Sequence, residues 1–330
     1  MKEILNDLYQ HKRLLKSEAK QILIDITAST YNDAHLVSFM TVFMMRPITA
    51  DELSGFREAL KELAITVDLS AYNTIDIVGT GGDGKDTFNI STLASFIVAG
   101  TGQKVAKHGN YSVSSKSGSS DMLENFGYHF TNDENTLKRH LEKANICFLH
   151  APKFHPAMKV VGPTRKALAL KTFFNMLGPL VNPSSPQNLM LGTFNLEIAR
   201  LYHYILQGED SNYGIIHTLD GYDEISLTSG FKLFTKSGEE IINPEDIGRR
   251  RILQSDIYGG NSVKDAAKIF NTILDGKGTE VQNDVVLTNA AFALKIVDKS
   301  KSFETAFEEA KDALFGGRAK ECLHKLIRNS

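Results

Sequence analysis

A largely apolar strand, Ile75-Asp76-Ile77-Val78, runs into Gly79-Thr80-Gly81-Gly82-Asp83-Gly84. Past Lys85-Asp86-Thr87-Phe88 the chain continues into Asn89-Ile90-Ser91-Thr92 and an apolar helix body. Four glycines in six positions directly after a strand leave few folds open. Glycine admits positive φ and lets backbone N–H groups approach an anion with no Cβ in the way. Strand, glycine loop and helix start therefore predict a phosphate cradle in an α/β fold.

Two nucleotide motifs nearly fit this stretch and fail. Gly79, Gly81 and Gly84 satisfy the dinucleotide spacing G-x-G-x-x-G, which opens a helix at once and is followed about 20 residues later by an acidic ribose ligand. Here the loop continues to Ile90 before a helix can start at Ser91 or Thr92. The next strand then ends on Lys107, a cation suited to phosphate. Gly79 to Lys85 also has P-loop spacing, G-x-x-x-x-G-K, but Asp86 stands where a Ser or Thr holds Mg²⁺.

Around this loop the pattern is one of alternation. Strands are expected at 75–78, 103–107, 146–149, 188–193 and 213–217, and helices at 91–100, 118–127, 133–144 and 195–207, which predicts an α/β sheet with ligands beyond the carboxyl ends of its strands. Residues 1–70 read as helices only, with a capping box from Thr49 to Glu52. The stretch 36–45 is apolar nearly all round and must be buried on several sides, in a core or at a subunit interface. Residues 163–186 carry Pro163, Pro179, Pro183 and Pro186 and a short helical stretch at 165–174, a stiff segment able to cross between domains. After residue 225, β-like runs at 225–228 and 231–235 give way to helices near 262–274, 283–297 and 302–314. The expected architecture is a small all-helical domain, residues 1–70, joined by a crossing segment at about 163–186 to a larger α/β domain of residues 71–162 and 187–330.

Composition narrows the partners. A 330-residue chain with 42% hydrophobic and 23% charged residues is ordinary for a globular protein, and a net charge of −2 offers no general attraction to nucleic acid or an acidic membrane. Cys147 and Cys322 are too few for a disulfide scaffold and lack zinc-ligand spacing; Cys147 sits in an apolar run and reads as core. The N-terminus is charged and lacks a signal-peptide core, and no stretch approaches the roughly 18 apolar residues of a membrane span. A cytoplasmic location is expected.

Several polar groups stand at strand ends. Asn89, Ser91 and Thr92 either cap the helix that follows or face an anion together with its free N–H groups. Lys107, His108 and Asn110 end the second strand, and a serine-rich run, Ser114-Ser115-Lys116-Ser117-Gly118-Ser119-Ser120, adds donors for phosphate or a carbonyl-bearing ligand. Asp223-Glu224 is either an acidic surface turn or a Mg²⁺ site, since Mg²⁺ binds through one or two carboxylates plus substrate phosphates. Arg165, near His155 and Lys159, is a solvated helix charge or a guanidinium fork for a carboxylate.

These motifs, together with His155-Pro156-Ala157-Met158-Lys159, Phe174-Asn175-Met176-Leu177-Gly178-Pro179-Leu180 and Asp223-Glu224-Ile225-Ser226, resemble in content and order the anthranilate phosphoribosyltransferases. The resemblance implies the fold shared with class II nucleoside phosphorylases and a homodimer joined through the helical domains, with no nucleic-acid or membrane partner. It implies transfer of the phosphoribosyl group from phosphoribosyl pyrophosphate (PRPP) to the amine of anthranilate, in tryptophan biosynthesis, with Mg²⁺ as cofactor. On the same basis Gly79, Gly82, Asp83, Thr87, Asn89, Ser91, Thr92, Lys107 and Ser119 hold PRPP, while Ser91, Asp223 and Glu224 serve the metal. Gly79, His108, Asn110, Arg165 and Gly178 serve anthranilate, and no residue is assigned as acid or base. Tyr111 stands where many members carry arginine, and Lys171 replaces the arginine of a Gly-x-Arg-Thr motif. The alternatives are a pyrimidine nucleoside phosphorylase and a non-catalytic nucleic-acid-binding member of the fold. Arg165 and the Asp223-Glu224 pair speak against the first, the net charge of −2 against the second.

Overall fold

α1 (Lys2–Tyr9) and α2 (Lys16–Thr27) lead to α3 (Asp33–Met45), which starts where Asn32 Oδ1 accepts the His35 N–H at 2.9 Å. α4 (Ala50–Glu62) begins at the expected capping box: Thr49 Oγ1 accepts the Glu52 N–H at 3.2 Å and Glu52 returns the bond to the Thr49 N–H at 2.9 Å. Burial works against ionisation of the Glu52 side chain, but Arg46, at 2.6 and 3.0 Å, and the amides of Thr49 and Leu14 outweigh it and hold its pKa below the ordinary value. The apolar face of α3 brings Phe39 and Phe43 against Phe56 and Phe173, with ring centroids 4.5 to 6.0 Å apart. Met45, at its end, is 83% exposed.

The computed structural model describes residues 1–112 and 116–330, and the chain divides into two units. Met1–Thr66 and Ala151–Pro183 form the helical unit; Val67–His150 and Ser184–Ser330 form the α/β unit. Residues 151–162, expected in the α/β domain, thus cluster with the helices. In chain order the α/β unit contributes β1 (Ile75–Gly79), α5 (Ile90–Gly100), β2 (Val105–Gly109), α6 (Ser119–Asn125), α7 (Glu134–Ala144) and β3 (Ile146–His150). The helical unit then receives α8 (Ala151–Phe154), α9 (Met158–Leu168) and two 3₁₀ turns, Phe173–Met176 and Gly178–Leu180. β4 (Asn188–Gly192), α10 (Leu196–Leu206), β5 (Asn212–Thr218), β6 (Phe231–Thr235) and β7 (Gly238–Ile242) return to the α/β unit. α11 (Val263–Leu274), α12 (Glu280–Val297), α13 (Phe303–Phe315) and α14 (Arg318–Arg328) complete it.

Among the described residues seven strands form one sheet in the order β3-β2-β1-β4-β5-β6-β7. The first five in that order are parallel, and β6 and β7 are antiparallel additions. The order reverses between β1 and β4: the chain winds outward from β1 to β3, then returns to the other side of β1 and winds away. An open α/β sheet forms a crevice at such a switch point, outside the carboxyl ends of the two strands. Those ends are Gly79 and Gly192, which stand opposite each other in register. The apolar body of α5 is buried and packs on α12, α13 and α14, so the sheet rests on one continuous core.

The expected strand at 225–228 is absent. There the chain turns, Leu227 has φ +63°, and the backbone of Ile225 bonds to the side chain of Asn289 instead of a neighbouring strand.

Candidate active site

Asp223 fills the notch left by the two strand-end glycines. A Cβ on Gly79 would collide with its carboxylate, and one on Gly192 with its carbonyl oxygen, so glycine is required at both positions for the turn to come this close. Asp223 Oδ2 accepts the Gly81 N–H at 2.6 Å, with Gly81 at φ +66°. Glu224 Oε1 accepts the Ser91 N–H at 2.8 Å, supplying the N-terminus of α5 with an acceptor from 133 residues away. The turn itself is braced by Thr218, whose hydroxyl donates to the Glu224 carbonyl at 2.6 Å, and by Asn289, which bonds both the N–H and the carbonyl of Ile225.

Asp223 is buried and Glu224 partly buried, and removal from water raises the pKa of both; Asp83 adds repulsion to each, and Asp223 adds its own to Glu224. Crowded negative charge of this kind is relieved by a cation. Among the described residues no group of three or more His, Cys, Asp or Glu side chains is placed to hold a metal. Two carboxylates beside a phosphate cradle nonetheless meet the sparser demand of Mg²⁺, so the residues present fit that ion.

Asn89 does not cap α5 with its side chain; its Nδ2 donates to the Ser117 carbonyl at 2.9 Å and ties the glycine loop to the serine-rich loop. That second loop is closed by Asp121, whose Oδ2 accepts the N–H groups of Ser112 (2.9 Å) and Gly118 (2.8 Å). Ser119 Oγ stands 3.4 Å from the Asn110 carbonyl. Ser114 and Ser115 lie outside the described residues. Thr87 forms an isolated antiparallel bridge with Tyr258, and Thr92 is buried in the first turn of α5. Lys107, inside β2, is 2% exposed and donates from Nζ to the Ile77 carbonyl of β1. Burial brings its pKa down to about 8, against the opposing charges of Asp76 and Glu224. The His108 N–H donates to Asp76 Oδ1 at 3.1 Å.

The α/β unit therefore gathers Gly79, Asp83, Ser91, Lys107, Asp223 and Glu224 about the β1/β4 switch point. Arg165 and Gly178 belong to the helical unit. Arg165 lies over the Phe174 ring, its guanidinium carbon 5.1 Å from the centroid, and burial lowers its pKa from the usual value. Gly178 opens the second 3₁₀ turn.

Sequence reasoning missed Gly192 and Asn289. A glycine closing an apolar strand is a readable sign of close backbone approach, and Gly192 repeats Gly79 in that respect. Asn289 is a buried amide within the apolar body of α12, a residue type that needs a specific partner.

Residues 71–320 match the glycosyl transferase family, a/b domain, and residues 2–64 match that family's helical bundle domain. An anthranilate phosphoribosyltransferase from Flavobacterium johnsoniae is 59% identical over 99% of this chain and 98% of its own length. Two solved structures are similar throughout. The anthranilate phosphoribosyltransferase of Thermus thermophilus has a TM-score of 0.90 at 28% identity, covering 98% of each chain. That of Saccharomyces cerevisiae, in complex with PRPP and Mg, has a TM-score of 0.91 at 26% identity, covering 98% of this chain and 96% of that one.

Proposed function

The chain belongs to the anthranilate phosphoribosyltransferase family, and on that premise we propose that it transfers the 5-phosphoribosyl group of PRPP to the amine of anthranilate, with release of pyrophosphate, in tryptophan biosynthesis. The observation that carries the reading is the meeting of the glycine loop, the α5 N-terminus and Asp223-Glu224 at the sheet's switch point. The Gly81 and Ser91 amides already hold carboxylates, which supports their affinity for anions. Gly79, Gly82, Asp83, Thr87, Asn89, Ser91, Thr92, Lys107 and Ser119 are assigned to PRPP.

Breaking the bond from C1 to pyrophosphate leaves negative charge on the leaving group and positive charge on the ribose. The groups required are donors and cations at the pyrophosphate rather than a strong base. Mg²⁺, when bound by Asp223, Glu224 and Ser91, supplies charge compensation for that leaving group. Anthranilate's amine is a free nucleophile, so His108, Asn110, Gly79, Gly178 and Arg165 have mainly to orient it. Arg165 has no carboxylate partner among the described residues, which suits a guanidinium kept for the carboxylate of anthranilate. Dependence on Mg²⁺, a cytoplasmic setting and a homodimer through the helical unit are parts of the same proposal. Two buried free thiols suit a reducing compartment, and the exposed Met45 leaves apolar surface on α3 for a second copy.

Purified chain supplied with Mg²⁺, PRPP and anthranilate is expected to form phosphoribosylanthranilate and pyrophosphate one for one, and to elute at twice 36.5 kDa by light scattering. Arg165→Ala is expected to raise the KM for anthranilate by about tenfold or more, as for a lost charge-assisted pair, while the KM for PRPP stays within about twofold. Absence of turnover overturns the proposal; an equal loss of PRPP affinity overturns the role of Arg165, and a monomeric mass overturns the dimer.

A further inference from the structure

The glycine loop carries one cation that the assignments above leave unused. Lys85 stands at the P-loop lysine position, where a lysine reaches phosphates, although the hydroxyl that should follow it is missing. Its ammonium pairs with no carboxylate among the described residues and lies 4.7 Å from the centroid of the Tyr222 ring. Its backbone N–H donates to Asp83 Oδ1 at 3.1 Å. The loop and the turn that carries Tyr222 are also joined through Gly81 and Asp223, so the ammonium and the ring meet where the cradle closes.

Tyr222 supplies a second, independent sign. The residue is 1% exposed, and its phenolic oxygen is buried with no hydrogen-bond partner. Such a group is uncommon and calls for an acceptor. A phenol has one hydrogen to donate, and a phosphate oxygen is an acceptor suited to it.

We propose that Lys85 and the Tyr222 hydroxyl are two further binding groups for the pyrophosphate of the ribosyl donor. The ring of Tyr222 holds the ammonium at the loop, and its hydroxyl donates to a phosphate oxygen. The chain then divides the work of a P-loop: the lysine keeps its place after the glycines, and the metal-binding role of the missing hydroxyl passes to the Asp223-Glu224 turn. Placing pyrophosphate here rests on the transfer reaction proposed above.

The test titrates inorganic pyrophosphate with Mg²⁺ into the full chain by calorimetry and measures steady-state constants beside it. Lys85→Gln is expected to weaken pyrophosphate binding by about fivefold or more and to lower kcat/KM for PRPP by at least as much, with the KM for anthranilate within about twofold. Lys85→Arg should restore most of the affinity, and Tyr222→Phe should weaken it about threefold without lowering the melting temperature. Wild-type pyrophosphate affinity in Lys85→Gln overturns the inference, as does a fall in melting temperature with affinity unchanged. If the wild type fails to turn over PRPP, the transfer reading falls, while pyrophosphate binding that responds to Lys85→Gln still supports the subsite.

Discussion

His155 shows how much of this chain's behaviour rests on single buried groups. It is 4% exposed in the helical unit, and burial brings its pKa down to about 4, against the opposing effect of backbone bonds at Val181 and Leu60. The unfolded chain takes up the proton near pH 6.5 and the folded chain only near pH 4, so between these values the unfolded state binds more protons. The stability His155 contributes is complete above about pH 7 and is lost as pH falls through that window. Melting temperatures measured from pH 7 to pH 4 should therefore fall more steeply for the wild type than for His155→Gln. Parallel curves would remove this account of the residue. At the same scale Asp223 and Glu224 were legible as adjacent carboxylates past a strand. That they bond the Gly81 and Ser91 amides was not, because those pairs lie 142 and 133 residues apart and only the fold brings them together.

Among the elements, β4 has the most exacting end. Its five residues pair with β1 along their whole length, and the last, Gly192, leaves room for the Asp223 carbonyl. Gly192→Ala should push the Asp223-Glu224 turn away from the glycine loop while the strand pairing persists. The expected outcome is a loss of about tenfold or more in PRPP affinity with Mg²⁺ present and an unchanged far-UV circular dichroism spectrum. Unaltered affinity would mean that the turn need not sit so close. The buried strands β1, β3, β4 and β5 were readable because both faces are covered and their sequences are apolar runs. β7 was not: at the sheet edge four of its five residues are exposed, Glu239 and Glu240 among them, and no burial pattern marks it. The run at 225–228 carries apolar residues for a different reason. Ile225 and Leu227 are buried under a turn, and Leu227 holds a left-handed backbone that costs roughly 1–3 kcal/mol.

Over the whole molecule, alternation of strand and helix made the α/β class legible, and helices alone marked residues 1–70, of which Met1–Thr66 belong to the helical unit. The strand order was not readable, since nothing local to residues 188–192 says that this strand returns beside β1 rather than continuing outward from β3. Yet that choice creates the switch point, and with it the site. On the proposed reading, a PRPP cradle at this point is completed by a metal held on Asp223-Glu224. The most direct measurement is calorimetric titration of PRPP into the full chain with and without Mg²⁺, for the wild type and for Asp223→Asn. The wild type should bind PRPP about tenfold or more tightly with Mg²⁺, and the variant should retain the metal-free affinity while losing most of that gain. Equal affinity with and without Mg²⁺ in the wild type, or an undiminished gain in Asp223→Asn, would contradict the claim.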